Sequence, residues 1–523
     1  MAKIKTSVLF KQYNQQQNFL LPPSLDELIE QTHLVRVVND VVDAMDIAAL
    51  INQYEGGGTT AYHPRMLLKV LLYAYCMKIY TGRKIARALK QDIHFMWLAA
   101  INRPDFRTIN NFRSGKGKEV VEELFKELLL FLMEQDYIKM ENYFCDGSSF
   151  AADANKHKMV WKKNAERYKE AAENNCRQLF EQINELNATE DKMYGDNDLE
   201  EAGSKSISKE TIRRQVEKLN QVVEAIADKK AKRKGIAIKK QLEKAEDKIR
   251  KYEQQSATAG KRSGYNRTDT DATAMRMKNG ETLPAYNILA GSENQFIVNC
   301  SVHQNTNDGV CFKEHIEQLE RYTEQSPDAI MADSIFGTEE NYELLENKNI
   351  NNYLKFPSFH NEQKSSYQND PFIKDNFQYD ALTDTYTCPN NQLLILTQTT
   401  SQTHKRTGYK STIKVYACEN CKDCPFYSKC CRSPNEKNRL IKVNEKLENY
   451  KQRARENLKS EKGIILRKQR GVEIESCFGD IKHNMGFRRF HVRSLPKVKA
   501  EWIFVAMAHN LKKIHLQKFK NAA

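Results

Sequence analysis

A chain of 523 residues exceeds one ordinary domain and predicts three or four structural units. Apolar residues at 40% and charged residues at 29% allow a sizeable core and exclude wholesale disorder. No apolar run reaches membrane-spanning length, the longest, at residues 66–77, being broken by Lys69, and the N-terminus MAKIKTSVLF lacks a signal-peptide core, so the expectation is a cytoplasmic protein with no membrane partner. The net charge is +14, yet residues 451–523 alone hold 18 Lys and Arg against 6 Asp and Glu, which leaves about +2 for all the rest. A concentrated basic region with apolar residues at helical spacing is the footprint of contact with a polyanion.

Residues 1–135 read as a helical N-terminal domain. Pro64 suits a helix start, and MLLKVLLYAYCMKIYTG runs apolar enough to be buried. RKIARALKQDIHFMWLAA gives a second helix, and PDFRTINNFRSGKGKEVVEELFKELLLFLMEQ a third and a fourth. Arg83, Lys84, Arg87, Arg103, Arg107 and Arg113 leave two readings open, a DNA-binding module or a packing domain. YFC, ending at Cys145, predicts a short strand stopped by the turn-forming DGSS. Residues 160–263 then turn charged and helical. Ile212, Val216, Leu219, Val223 and Ile226 form an a/d seam, which predicts an inserted antiparallel helical hairpin. AYNILAG and QFIVNCSVH follow as a β-hairpin across SEN, then the helix FKEHIEQLERYTEQ, the strand AIMAD, the helix TEENYELLENK and the strand NNYLKF. That alternation predicts an α/β core built from residues 136–159, 264–356 and 450–523, interrupted at 357–449 by a polar, Cys-rich β-type insertion.

The acids carry the chemistry. Asp146 and Asp333 each end an apolar strand, where backbone direction fixes a side chain and leaves it exposed. Two such carboxylates suit hard divalent cations and phosphoryl transfer. The helix RGVEIESCFGDIKHN offers a third acid, Glu473 or Glu475, on either side of the stripe Ile474, Cys477, Phe478, Ile481. Periodicity pairs Glu475 with Lys482 but does not name the catalytic acid. Beyond it, Lys482, Arg488, Arg489 and Arg493 form a basic group with Phe487 and Phe490 interleaved, suited to phosphates and unpaired bases. Val498, Trp502, Val505, His509 and Ile514 fit a terminal packing helix without chemistry. Six cysteines, Cys388, Cys418, Cys421, Cys424, Cys430 and Cys431, predict a structural zinc site, with Cys388, Cys421, Cys424 and Cys430 the preferred ligands.

Three ordered blocks, FCDGSSFAADANK, MADSIFGTEENY and VEIESCFGDIKHNMGFRRFHVRSLPKVKAEW, resemble the signature regions of bacterial insertion-sequence DDE transposases. The D-G-[ST] pattern falls on Asp146, the A-D-x-x-[YF]-G-[ST]-x-E-N pattern on Asp333, and the E-x-x-F-G-x-[IL]-K pattern on Glu475 through Lys482, which selects Glu475 over Glu473. The resemblance implies a ribonuclease H-like mixed-sheet core, a triad Asp146, Asp333 and Glu475 holding Mg²⁺ or Mn²⁺, and cleavage at transposon ends followed by joining of the 3′-OH to target DNA. It also implies double-stranded DNA partners (terminal inverted repeats and target), a homodimer on DNA, and a place at the bacterial nucleoid. The upstream Arg of many relatives, four residues before the glutamate, is replaced here by Gly471. Arg470 is beside it, and Lys468 stands where Tyr is usual. A DNA contact by Arg470 is the resulting expectation. A transposase-derived DNA-binding protein without turnover and a zinc hydrolase using the Cys-rich site are the rival readings; the complete set of acids weighs against the first and the absence of an H-E-x-x-H pattern against the second.

Overall fold

The structure is a computed structural model, which describes residues 24–54, 61–194, 209–225, 229–431 and 438–519. Its longer N-terminal helices are α1 (Leu34–Ala44), α2 (Pro64–Cys76), α3 (Gly82–Gln91), α4 (Phe106–Ser114) and α5 (Val121–Glu134). Pro64 occupies the first turn of α2, as its missing N–H allows, and ten of the thirteen residues of α2 are buried. The predicted second helix is broken after Gln91, where Asp92 turns extended and its carboxylate accepts the His94 N–H to cap a new short helix.

The central sheet is mixed. Strands β1 (Asn142–Ala151), β2 (Thr282–Glu293), β3 (Phe296–His303), β4 (Ala329–Ala332) and β5 (Asn351–Leu354) run in the order β3-β2-β1-β4-β5, with Thr273–Arg276 pairing beside β3 on the outer edge of β2. The β2–β3 hairpin turns on Asn294 and Gln295, both at positive φ, the two-residue geometry that matches strand twist. All eight residues of β3 are buried. Helices α9 (Asp308–Thr323) and α14 (Leu495–Lys518) both pack against it.

Between β1 and β2 projects an arm of α6 (Lys162–Tyr194), α7 (Lys209–Ala225) and α8 (Lys229–Ala259). Among the described residues it holds three helices where the sequence pattern predicts a two-helix hairpin, because the a/d seam of α7 needs a partner. Ile212 and Leu219 are buried, and Val216 and Val223 pack, in a cluster with Leu179 and Ile183 of α6 and Ile238 and Leu242 of α8. Ile226 lies outside the described residues. After β5 and the helix α10 (Glu339–Asn347), a five-stranded antiparallel sheet, β6 (Gln378–Asp380), β7 (Thr385–Thr387), β8 (Leu393–Thr403), β9 (Lys410–Cys418) and β10 (Leu440–Val443), forms the Cys-rich insertion. The chain returns through α11 (Glu445–Lys459), α12 (Glu461–Val472) and α13 (Ile474–Gly479) to α14. One hydrophobic cluster runs from Ile29 through the sheet to Ile514, so the N-terminal helices share their core with the sheet layer. Among the described residues no helix is long and apolar enough to cross a membrane.

Candidate active site

Register explains how two acids far apart in sequence become neighbours. Strand β1 does not stop at Asp146 as the turn-like DGSS predicts. Its antiparallel pairing with β2 continues from Phe144↔Ser292 to Ala151↔Ala285, through Asp146↔Ala290. Its parallel pairing with β4 ends one residue earlier, at Cys145↔Ala332. Asp146 and Asp333 are therefore the first residues beyond that ladder on adjacent parallel strands. Strand β5 joins at Ala332↔Leu354, which sets Lys355 at the same level. Close packing also demands glycine at 147, since a Cβ there would lie 2.4 Å from the Asp308 carboxyl carbon.

Glu473 and Glu475 separate at a break. Glu473, at φ −80° and ψ −93°, divides α12 from α13. Its half-buried carboxylate accepts the Gln295 N–H at 2.6 Å, and burial raises its pKa. Glu475 is on the exposed side and meets Arg470. The predicted single helix is thus two, followed by a π-helical turn at Asp480–Asn484. That turn widens the spiral, so Lys482 leaves the Glu475 face. Its amine donates to Ser148 Oγ at 2.6 Å and to the Ser149 carbonyl at 3.1 Å, and lies 4.4 Å from the Phe150 ring centre. Burial, with Lys278 nearby and Asp146 opposing, pushes its pKa down to about 8.

Arg470 holds the centre. Its guanidinium reaches Glu475 Oε1 at 3.1 Å, Asp146 Oδ1 at 3.2 Å and Asp333 Oδ2 at 3.8 Å. The residue is buried, and its Nε has no hydrogen-bond partner. Desolvation raises the pKa of Asp146, with Arg470 opposing it and Asp308 and Asp333 adding to it. As the side chains stand, no group of three or more His, Cys, Asp or Glu among the described residues is arranged to hold a metal ion. At the acids the guanidinium fills the shared space. It stands in for a cation there, and the surrounding donors are the carboxylate oxygens that a hard divalent ion takes.

Next to the acids a cleft of about 640 Å³ is lined by Ser148, Arg276, Lys278, Lys482, Arg488 and Arg489, with Asp308 on its wall. Arg489 and Arg493 both bind Asp153, at 2.7 and 2.9 Å.

Two regions of the chain match family models: residues 23–115 a transposase domain (DUF772), and residues 387–515 a transposase DDE domain. Both are models of transposases, and together they support reading the chain as an insertion-sequence DDE transposase. No curated protein and no solved structure matches it. Glu475, Lys482 and Arg488 fall inside the second match, whereas Asp146 and Asp333 lie between the two.

Several expectations change. Arg470 faces the acids instead of solvent, so its predicted DNA contact is not available in this arrangement. Phe487 and Phe490 are 0% and 1% exposed and pack with Phe150 and Trp502, which removes them as stacking platforms for bases. Arg113 is buried and pairs with Glu501, so it does not face DNA. The six cysteines line one small cavity of about 20 Å³, yet the expected zinc set Cys388, Cys421, Cys424 and Cys430 is not arranged as a metal site. Cys388 and Cys421 sulfurs accept backbone N–H groups at 3.4 and 3.3 Å, and Cys418, Cys421 and Cys430 are buried with Phe377, Leu394 and Tyr416 in the small core of the insertion, with Cys388 and Cys431 partly buried against it. Zinc lacks structural support among the described residues. Sequence reading also missed Lys355 and Asp308. Lys355 follows the same strand-end rule as Asp333, whereas Asp308 is on a helix N-terminus brought in by folding alone.

Proposed function

We propose that this transposase cleaves DNA at transposon ends and joins the 3′-OH to target DNA, on a ribonuclease H-like core with Asp146, Asp333 and Glu475 as the catalytic acids. The observation that carries the reading is the convergence of these three carboxylates on one cation, Arg470, beside a basic cleft. The mixed sheet supports the core assignment: three antiparallel strands continue into two parallel ones, with Asp146 inside β1 just past its pairing with β4 and Asp333 directly after β4. DDE transposases typically use a divalent metal. Asp146, Asp333 and Glu475 would hold it, and when bound it neutralises charge on the attacking and leaving oxygens.

The chain's own groups do the positioning. Strand pairing holds the two aspartates, and α13 holds Glu475 on the opposite side. Lys482, Arg488 and Arg489 present charge to phosphates in the cleft. An approaching phosphate favours the ammonium form of Lys482, offsetting the depression that burial causes. Asp153 aims Arg489 and Arg493 without neutralising both.

The test is incubation with duplexes carrying candidate terminal repeats and Mg²⁺, with nicks and joined products mapped. Glu475→Gln is expected to be inactive, while Glu473→Gln keeps substantial activity, because its carboxylate serves the Gln295 N–H and not the acid cluster. The reverse ranking would displace Glu475 from the triad.

A further inference from the structure

The arm between β1 and β2 has no role in the reading above, yet its charge is unevenly placed. Helix α8 carries eleven Lys and Arg against four Asp and Glu, whereas α6, packed antiparallel to it, carries six against seven. Ile238, Leu242, Ala245 and Ile249 turn the inner face of α8 into the arm's core. On the opposite face Lys229, Arg233, Lys240, Lys244 and Lys251 are all exposed. At 100° per residue these five fall within about 60° of one another, a single longitudinal stripe.

The dimensions fit a duplex. From Lys229 to Lys251 the stripe is about 33 Å long at 1.5 Å per residue. One turn of B-DNA is about 34 Å and carries roughly twenty phosphates. Two acids lie on that face, Asp247, which is answered by Arg250 at 2.7 Å, and Glu243, against the five cations of the stripe. A membrane surface would need a broad apolar band beside the cations, and here the intervening exposed positions are Ile236, Ala237, Gln241 and Glu243. The arm also starts at the site. β1 carries Asp146, the loop after it carries Asp153 with its two arginines, and α6 follows from Lys162. Opposed contacts fix its direction: Lys169 meets Glu253 near the base and Arg213 meets Glu246 further out, so Lys229 is distal.

We infer that the outer face of α8 is a second DNA-binding surface, which grips the phosphate backbone of duplex about one turn long leading away from the acid cluster. The choice of DNA as the polyanion rests on the transposase reading. The contact is to phosphates, so it is independent of sequence and strongly salt-dependent.

The experiment replaces Lys229, Arg233, Lys240, Lys244 and Lys251 by Gln in the full chain, singly and together. Gln keeps helix propensity, and an unchanged far-UV circular dichroism spectrum checks the arm. Affinity for a random-sequence duplex of about 40 base pairs is measured against salt without divalent metal, so no catalysis enters. The expected result for the five-fold variant is binding weakened about ten-fold or more, with the log–log salt slope reduced by about 4, and smaller graded losses for single variants. An unchanged slope overturns the inference. An unchanged slope with an altered sedimentation coefficient overturns it too, and assigns the stripe to a second copy of this chain. Reduced slope in a protein whose wild type cuts no candidate end supports the inference while the transposition reading fails.

Discussion

Asp146→Asn or Asp333→Asn is expected to lower DNA cleavage by about 10³-fold or more while leaving DNA affinity nearly unchanged. Each change removes one anionic oxygen donor and keeps the side chain's shape. The cations of the cleft, Lys482, Arg488 and Arg489, stay where they are. Arg470 still has two carboxylates to hold it, so folding should survive. Single-turnover cleavage and gel-shift titration on the same preparations separate the two effects. Loss of binding in parallel with cleavage would indicate structural damage, and retained cleavage in either variant would remove that aspartate from the triad.

The second large effect is on stability. Arg113→Ala should destabilise the protein by about 3–5 kcal/mol, because Glu501, 0% exposed in mid-α14, would be left as an uncompensated buried charge. In the native arrangement Glu501 receives Arg113 Nη1 and Tyr75 OH at 3.5 and 3.3 Å and the His491 N–H at 2.7 Å. This links α2 and α4 to the C-terminal helix. Burial raises the Glu501 pKa, with Arg113 opposing the rise. A carboxyl whose folded pKa is raised favours folding most when protonated, and that contribution is lost as pH climbs through the folded value. The deficit of Arg113→Ala should therefore shrink as pH falls, since removing the opposing cation raises Glu501 further. Denaturant titrations at neutral and acidic pH check this. The double variant with Glu501→Gln should be closer to wild type than Arg113→Ala alone, and a double variant worse than the single would show that the pair carries no compensating charge.

Much of the fold was legible because its signals are local. The Pro64 helix start, the β2–β3 hairpin and the alternation from α9 to β5 each depend on residues within one or two elements, and each is found near its predicted place. Glu475 could be chosen over Glu473 by resemblance alone. Its motif is contiguous, though periodicity left both acids open.

Other features were illegible for a physical reason. Whether DGSS is a turn or a strand depends on β2, which continues the ladder beyond the point where β4 ends. Phe487 and Phe490 alternate with cations along the chain, but burial is decided by Phe150 and Trp502. Cysteine spacing could suggest a cluster, but how six side chains are disposed around one small cavity is decided by the packing of the strands about it. The near-neutral balance of the first 450 residues concealed the basic stripe on α8, because α6 and the other elements cancel it in the sum but not in space.

The sequence by itself singled out Asp146, Asp333 and Glu475 as candidate acids, because their three ordered blocks are contiguous motifs that resemble those of DDE transposases. Only the tertiary structure decided that Arg470 would be the cation at their centre. Asp146 and Asp333 precede it in sequence by 324 and 137 residues, and a guanidinium with several donors goes to whichever carboxylates packing brings within reach.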